Sequence, residues 1–272
     1  MIGSRNLNGS WGRGRLLLVL AAVALAAATL VAGLVLATTY AMTDAPTKNP
    51  ALGESSGSGG SDRATHPGRR DEIAASPMLQ VDRQASAPTA PAAIAGPAIQ
   101  IPPSTGVGPA AVATGFPRTA EGAIGQLAAI GTAVLQGMSI PYTNDVYTHW
   151  AMPGGVGIER WPMTANVQAF LEAARMGQQK DAAATVIAVP AAGQIKGVDG
   201  PDWAVVCVLF DVRATITAEA RMGYGYCERL QWHTGRWMIA PGLTPAQAPS
   251  TWPGSELSVR AGWRTWVDAA EG

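Results

Sequence analysis

Charge is scarce in this chain. Only 14% of its 272 residues are charged, 19 basic against 19 acidic, and the net charge at pH 7 is zero. A polyanion partner requires a basic surface, so nucleic acid is excluded as a partner. Cysteine is scarcer still, with two residues, which excludes a disulfide-built miniprotein. The chain has no serine nucleophile elbow, phosphate loop or HExxH motif, so no enzyme and no cofactor are expected. Aromatic residues are few and unevenly spread. Between residues 43 and 115 there is none, and 10 of the 20 prolines lie in that stretch.

What the chain does have is one long apolar run, LLLVLAAVALAAATLVAGLVLA, inside an uncharged segment from Leu16 to Thr43. That length matches the roughly 20 residues needed to cross a bilayer. Arg5, Arg13 and Arg15 precede it without an acid, and Asp44, Lys48 and Glu54 follow, which places the N-terminus in the cytoplasm. The expected layout is a cytoplasmic tail over 1–15, a transmembrane helix over 16–42 and the rest outside, in a single-pass protein of the cell membrane. A cleaved secretory signal ending near Thr39-Tyr40-Ala41 is the competing reading.

Residues 43–115 read as a disordered linker rich in Pro, Ala, Gly and Ser, because a segment without aromatics buries too little apolar surface to offset its ordering entropy. Residues 116–272 hold eight of nine Trp, all three Phe and four of five Tyr, and read as one extracytoplasmic globular domain.

Within that domain helical spacing comes first. Thr119 is placed to cap a helix carrying Ile124, Leu127, Val134 and Leu135, with Gly122, Gly125 and Gly131 suited to close packing. A second helix is expected from about Thr143 to Ala151, and a third capped by Thr164 with Val167, Phe170 and Leu171. After residue 180 the period becomes that of strands, and a last helix capped by Ser255 is expected to carry Leu257, Trp263 and Trp266. Thr234-Gly235 forms a two-residue turn that sets Trp232 opposite Trp237 and Leu230 opposite Ile239. The fold class is thus α+β, helices packed on a curved antiparallel sheet.

A hairpin centred on Thr217 places Cys207 directly opposite Cys227 and puts Val206, Val208, Phe210 and Val212 on one face with Met222, Tyr224 and Tyr226. Outside the membrane such opposed cysteines are a candidate disulfide; two buried thiols, or a zinc site with His149 and His233, are the alternatives. Glu228 falls on the same apolar face. With Tyr224 and Tyr226 it is a candidate polar floor of a ligand pocket, while a bulge at Gly223 or Gly225, or an ion pair with an arginine, would account for it structurally.

The order of tail, membrane helix, Pro/Ala linker, helices and strands, ending in HTGRWMIAPG, resembles bitopic membrane proteins of high-GC Gram-positive bacteria. The C-terminal domain resembles the nuclear transport factor 2-like cone, with Gly235, Trp237 and Ile239 matching its closing strand. RTAEGAIGQLAAIG and AEARMGYGYCERLQWHTGRWMIAPG also resemble uncharacterised membrane proteins of actinobacterial mobile elements. That resemblance implies the role of such domains in conjugation and type IV secretion scaffolds, or in mammalian-cell-entry-associated proteins: an assembly module whose partners are the membrane and other proteins of a membrane complex. A membrane-tethered binding protein for a cell-envelope component or a small apolar ligand is the alternative.

Overall fold

The computed structural model describes residues 67–269, and the expected tail, membrane helix and first third of the linker lie outside the described residues. Among the described residues no helix is long and apolar enough to cross a membrane. The architecture is α+β, helices packed on a curved sheet that forms a half-barrel.

The sheet has six strands: β1 (Ala98–Ile101), β4 (Thr185–Val198), β5 (Trp203–Thr215), β6 (Glu219–His233), β7 (Arg236–Ile239) and β8 (Arg264–Asp268), in the order β1-β8-β4-β5-β6-β7. A two-residue hairpin of β2 (Gly106–Val107) and β3 (Ala113–Thr114) stands apart. The long meander β4-β5-β6-β7 is antiparallel, and register shifts at Pro190/Ala192 and Ile195/Gly197 mark irregularities of the kind that bend a strand. The sheet is nevertheless mixed and not purely antiparallel, because β1 pairs with β8 in parallel, Ile99 beside Trp266. Sequence spacing could not signal that pairing, since it joins the two ends of the domain.

Three helices fill the concave face. Helix α2 (Ala120–Gly137) is capped by Thr119, whose hydroxyl accepts from the Gly122 amide at 3.1 Å. Its glycines allow close approach: a Cβ on Gly131 would sit 2.6 Å from the Phe210 ring, and one on Gly125 would sit 2.5 Å from Phe116. Helix α3 (Ile140–Trp150) starts three residues before the expected Thr143, because Ser139 caps it and Pro141 fits its first turn. Helix α4 (Pro162–Ala173) also starts early, behind Trp161, so Thr164 lies inside it and not at its cap. Val206, Val208, Phe210 and Tyr226 are buried under these helices as the β5–β6 register requires, while Met222 near the tip is exposed.

The convex face is where the fold departs from expectation. Of the residues expected as linker, 67–97 cover it together with the C-terminal tail, while 98–115 pair at the sheet edge and pack against α2 and α3. Helix α1 (Pro67–Ala75) docks through an Arg70–Asp199 ion pair at 2.6 Å, a hydrogen bond from Lys196 to the Ala74 carbonyl at 2.6 Å, and Ile73 set against Gly197. The following irregular chain is joined to the tail by backbone bonds such as Trp252 to Ala85 and Ala92 to Gly254. Ile99 and Ile101, on β1, enter the main core. Docking onto an existing apolar sheet supplies the burial that the segment's own composition lacks, and so orders it. Strand β5 is accordingly buried on both faces from Trp203 to Phe210. In the tail, Ser255 caps a helix as expected, but that helix, α5 (Glu256–Arg260), is short, and Trp266 lies on β8.

Candidate functional site

The β5–β6 pairing runs without a register shift from Trp203↔Gln231 to Thr215↔Glu219, with Cys207↔Cys227, Val208↔Tyr226 and Val206↔Glu228 among its pairs. An unbroken ladder keeps the period of two, so even-numbered residues of β6 point into the half-barrel and odd-numbered ones point out. Cys207 and Cys227 are bonded to each other on the convex side, where Trp263 and Ala248 cover them. Tyr224, Tyr226 and Glu228 line up on the concave side.

Glu228 is 5% exposed and meets only neutral donors. Its Oε2 accepts from the Tyr226 hydroxyl and from the Trp161 indole N–H at 3.2 Å; its Oε1 accepts from the Arg229 backbone N–H at 3.0 Å. The same indole also donates to the Tyr226 oxygen at 2.8 Å. Tyr147, from α3, closes this cluster with its ring centroid 5.1 Å from that of Trp161. Burial pushes the Glu228 carboxyl above its ordinary value, against the opposing pull of its three hydrogen-bond donors and the Arg229 charge. Burial likewise holds the Tyr226 phenol well above its usual range, so it remains a donor. The Arg229 side chain turns to the other face, bonded to Asp71 on α1, and so is not the partner of Glu228.

Toward the tip of the hairpin the packing opens. A cavity of about 420 Å³ lies between the end of α2, helix α4 and strands β4–β6, lined by Leu135, Met138, Phe170, Val186, Val212 and Tyr224 among others. A second cavity of about 280 Å³ lies between α4, β6 and the tail segment, lined by Tyr224, Tyr226, Thr244, Gln247 and Ser250 among others. Asn166 and Tyr224 line both, and their side chains are hydrogen-bonded at 2.5 Å. The three aromatic rings Phe210, Tyr224 and Tyr226 form a stack with centroid spacings of 6.4 Å and 6.4 Å.

The candidate residues thus occupy one row but different depths. Tyr224 walls both cavities, Tyr226 walls the smaller, and Glu228 lies enclosed behind Tyr226. His149 and His233 are far from the cysteines in role: His149 faces Asp145 on its own helix at 3.2 Å, and His233 flanks the exposed hairpin turn. Trp161 was not singled out by the sequence. A buried carboxylate on an apolar strand face demands a donor from elsewhere, and that demand was the signal available. Asn166, on the exposed side of α4, carried no such signal.

Among the described residues no three His, Cys, Asp or Glu side chains cluster as metal ligands. Comparison with protein-family models, with curated proteins and with solved structures finds no match to this chain.

Proposed function

We propose that the domain is a binding module for a small apolar ligand, held at the outer face of the cell membrane by the apolar segment 16–42. The observation that carries this reading is the apolar cavity of about 420 Å³ at the open end of the half-barrel, a volume within the range of small-molecule sites. Its walls come from three strands and two helices, so it is preformed by the fold. Of the ionisable side chains on its wall, the Arg221 guanidinium is bonded to Asp211 and burial keeps the Tyr224 phenol protonated, while the Glu228 carboxyl lies enclosed behind Tyr226 with both oxygens occupied; this supports binding over proton-transfer chemistry.

The test uses the full chain in detergent with 1-aminoanthracene as an apolar fluorescent probe. Ala214 lines the cavity from β5, so A214W fills it. Saturable fluorescence enhancement in the wild type over the A214W control supports the reading; identical curves overturn it.

A second reading, the assembly module of a conjugation or secretion complex, is supported by a groove of about 610 Å³ along α2, where Ala129, Ala133, Phe116, Tyr142 and Trp266 form an open apolar surface. The likeness of the domain to a nuclear transport factor 2-like cone is part of this reading. Crosslinking of the full-length protein in native membranes tests it: recovery of transfer ATPases or channel subunits favours assembly, and recovery of the protein alone removes that support.

A further inference from the structure

The two cavities share two lining residues. These are Asn166 and Tyr224, and a 2.5 Å hydrogen bond joins their side chains. Tyr224 spends its own proton poorly, since its hydroxyl points to the Met163 thioether at 3.5 Å, a weak acceptor. A better acceptor placed between the cavities would take that proton. Burial raises the Tyr224 phenol above its ordinary range, so the proton stays available.

The chambers differ in chemistry. The larger is walled by Leu135, Met138, Phe170, Val186 and Val212, and its roughly 420 Å³ would hold about 14 methylene-sized groups at ~30 Å³ each. The smaller presents the hydroxyls of Thr244 and Ser250 and the Gln247 amide, with no charged side chain among its lining residues; the Tyr226 hydroxyl behind its wall is already spent on Glu228 and Trp161. An ionised head there would leave water without a counter-charge. Arg221, at the rim of the larger chamber, has its guanidinium on the convex side, bonded to Asp211 at 2.9 Å and stacked 4.9 Å above Trp252. Glu228 is enclosed behind Tyr226, with both oxygens occupied, and offers nothing to a cation.

We propose that the ligand is a neutral single-chain amphiphile, its chain in the apolar cavity and its hydroxyl or ester head passing the Asn166–Tyr224 pair into the polar cavity. This rests on the binding function proposed above. The shared residues make the two cavities one head-and-tail site, and the ligand class is that of a monoacylglycerol or a long-chain alcohol and not of an ionised fatty acid.

The experiment is competition on the full chain in detergent, displacing bound 1-aminoanthracene with monolauroylglycerol, ionised laurate or dodecyltrimethylammonium, which share a twelve-carbon chain. Monolauroylglycerol is expected to displace the probe at about tenfold lower concentration than either ion, the value of one well-made hydrogen bond. Y224F and Q247L are each expected to erase that preference, and Q247L, outside the apolar cavity, to do so with probe affinity unchanged. Gln247 is exposed, so Q247L keeps the test open if Y224F unfolds. Equal displacement by all three, tighter binding of an ion, or a preference that survives both variants overturns the proposal and leaves the apolar site standing. Absence of saturable probe binding defeats the binding function itself.

Discussion

The two faces of strand β6 solve the same problem in opposite ways. On the concave side Tyr224, Tyr226 and Glu228 are met by groups held on regular elements: a stacked neighbour ring on the same strand, an indole from the start of α4 and a backbone amide. On the convex side Gly223, Gly225, Cys227 and Arg229 are met by chain from the far ends of the domain. A Cβ on Gly223 would lie 1.9 Å from the Thr251 carbonyl oxygen, and the Gly225 amide donates to the Ser250 hydroxyl at 3.0 Å. Arg229 is bonded to Asp71 and to the Arg70 and Pro241 carbonyls, and lies over the Trp203 ring at 5.8 Å. The concave side is therefore a core packed by helices, and the convex side is a clamp made by irregular segments that have no core of their own.

If that contrast holds, damage to the convex side releases whole segments. The largest effect is expected from Gly223→Val, which drives a branched side chain into the backbone of the tail; a loss of about 3 kcal/mol should show in urea denaturation. Replacing both Cys207 and Cys227 by Ala follows, since the bond closes a loop with a sequence separation of 20; about 2–3 kcal/mol should be lost, and reductant should then leave the midpoint of the variant unchanged. Asp71→Asn leaves a buried guanidinium without its carboxylate, but Asp71 is half exposed to water, so the cost should be nearer 1 kcal/mol. Its clearer signature is faster hydrogen exchange confined to residues 67–75.

Damage to the concave side should be local and, for Glu228, dependent on pH. Its carboxyl titrates above the ordinary value of 4.5 in the folded chain, so between those two values the folded state holds a proton that the unfolded state has released. The stability tied to this proton is full below the unfolded value, falls as pH rises through the folded value, and is absent above it. E228Q keeps the shape and removes the titration, so its denaturation midpoint should lose that decline when measured in steps from acid to neutral pH. A wild-type decline that persists in E228Q would assign it to another group. The smallest effect is expected at Thr164, whose buried hydroxyl has no partner; Thr164→Val should stabilise by about 1 kcal/mol, read as a rise in Tm.

The hairpins were legible because strand pairing between neighbours is arithmetic. Once a turn is located, a period of two assigns every residue its partner and its face, and Trp232↔Trp237 and Leu230↔Ile239 follow from the turn at Thr234-Gly235. The α2 cap at Thr119 was legible for the same local reason. Of the candidate site, the row of Tyr224, Tyr226 and Glu228 followed from register, but its depth did not. Whether a residue on that row reaches a cavity depends on Trp161 and Asn166, which arrive from another element. Helix starts at Ile140 and Pro162 were each missed by three residues, because both first turns contain a proline, which starts a helix as readily as it breaks one.

By itself the sequence determined the segregation of aromatics into one domain, the apolar run near the N-terminus, the sheet's long hairpins and the side on which each β6 residue lies. All of these are set by composition or by interactions between residues close in the chain. Only the tertiary structure decided that residues 67–115 form part of the fold, that β1 joins β8 in parallel, and that a stack of Tyr rings opens onto two cavities. Those outcomes depend on apolar surface presented by distant elements, and that surface exists only once the sheet has formed.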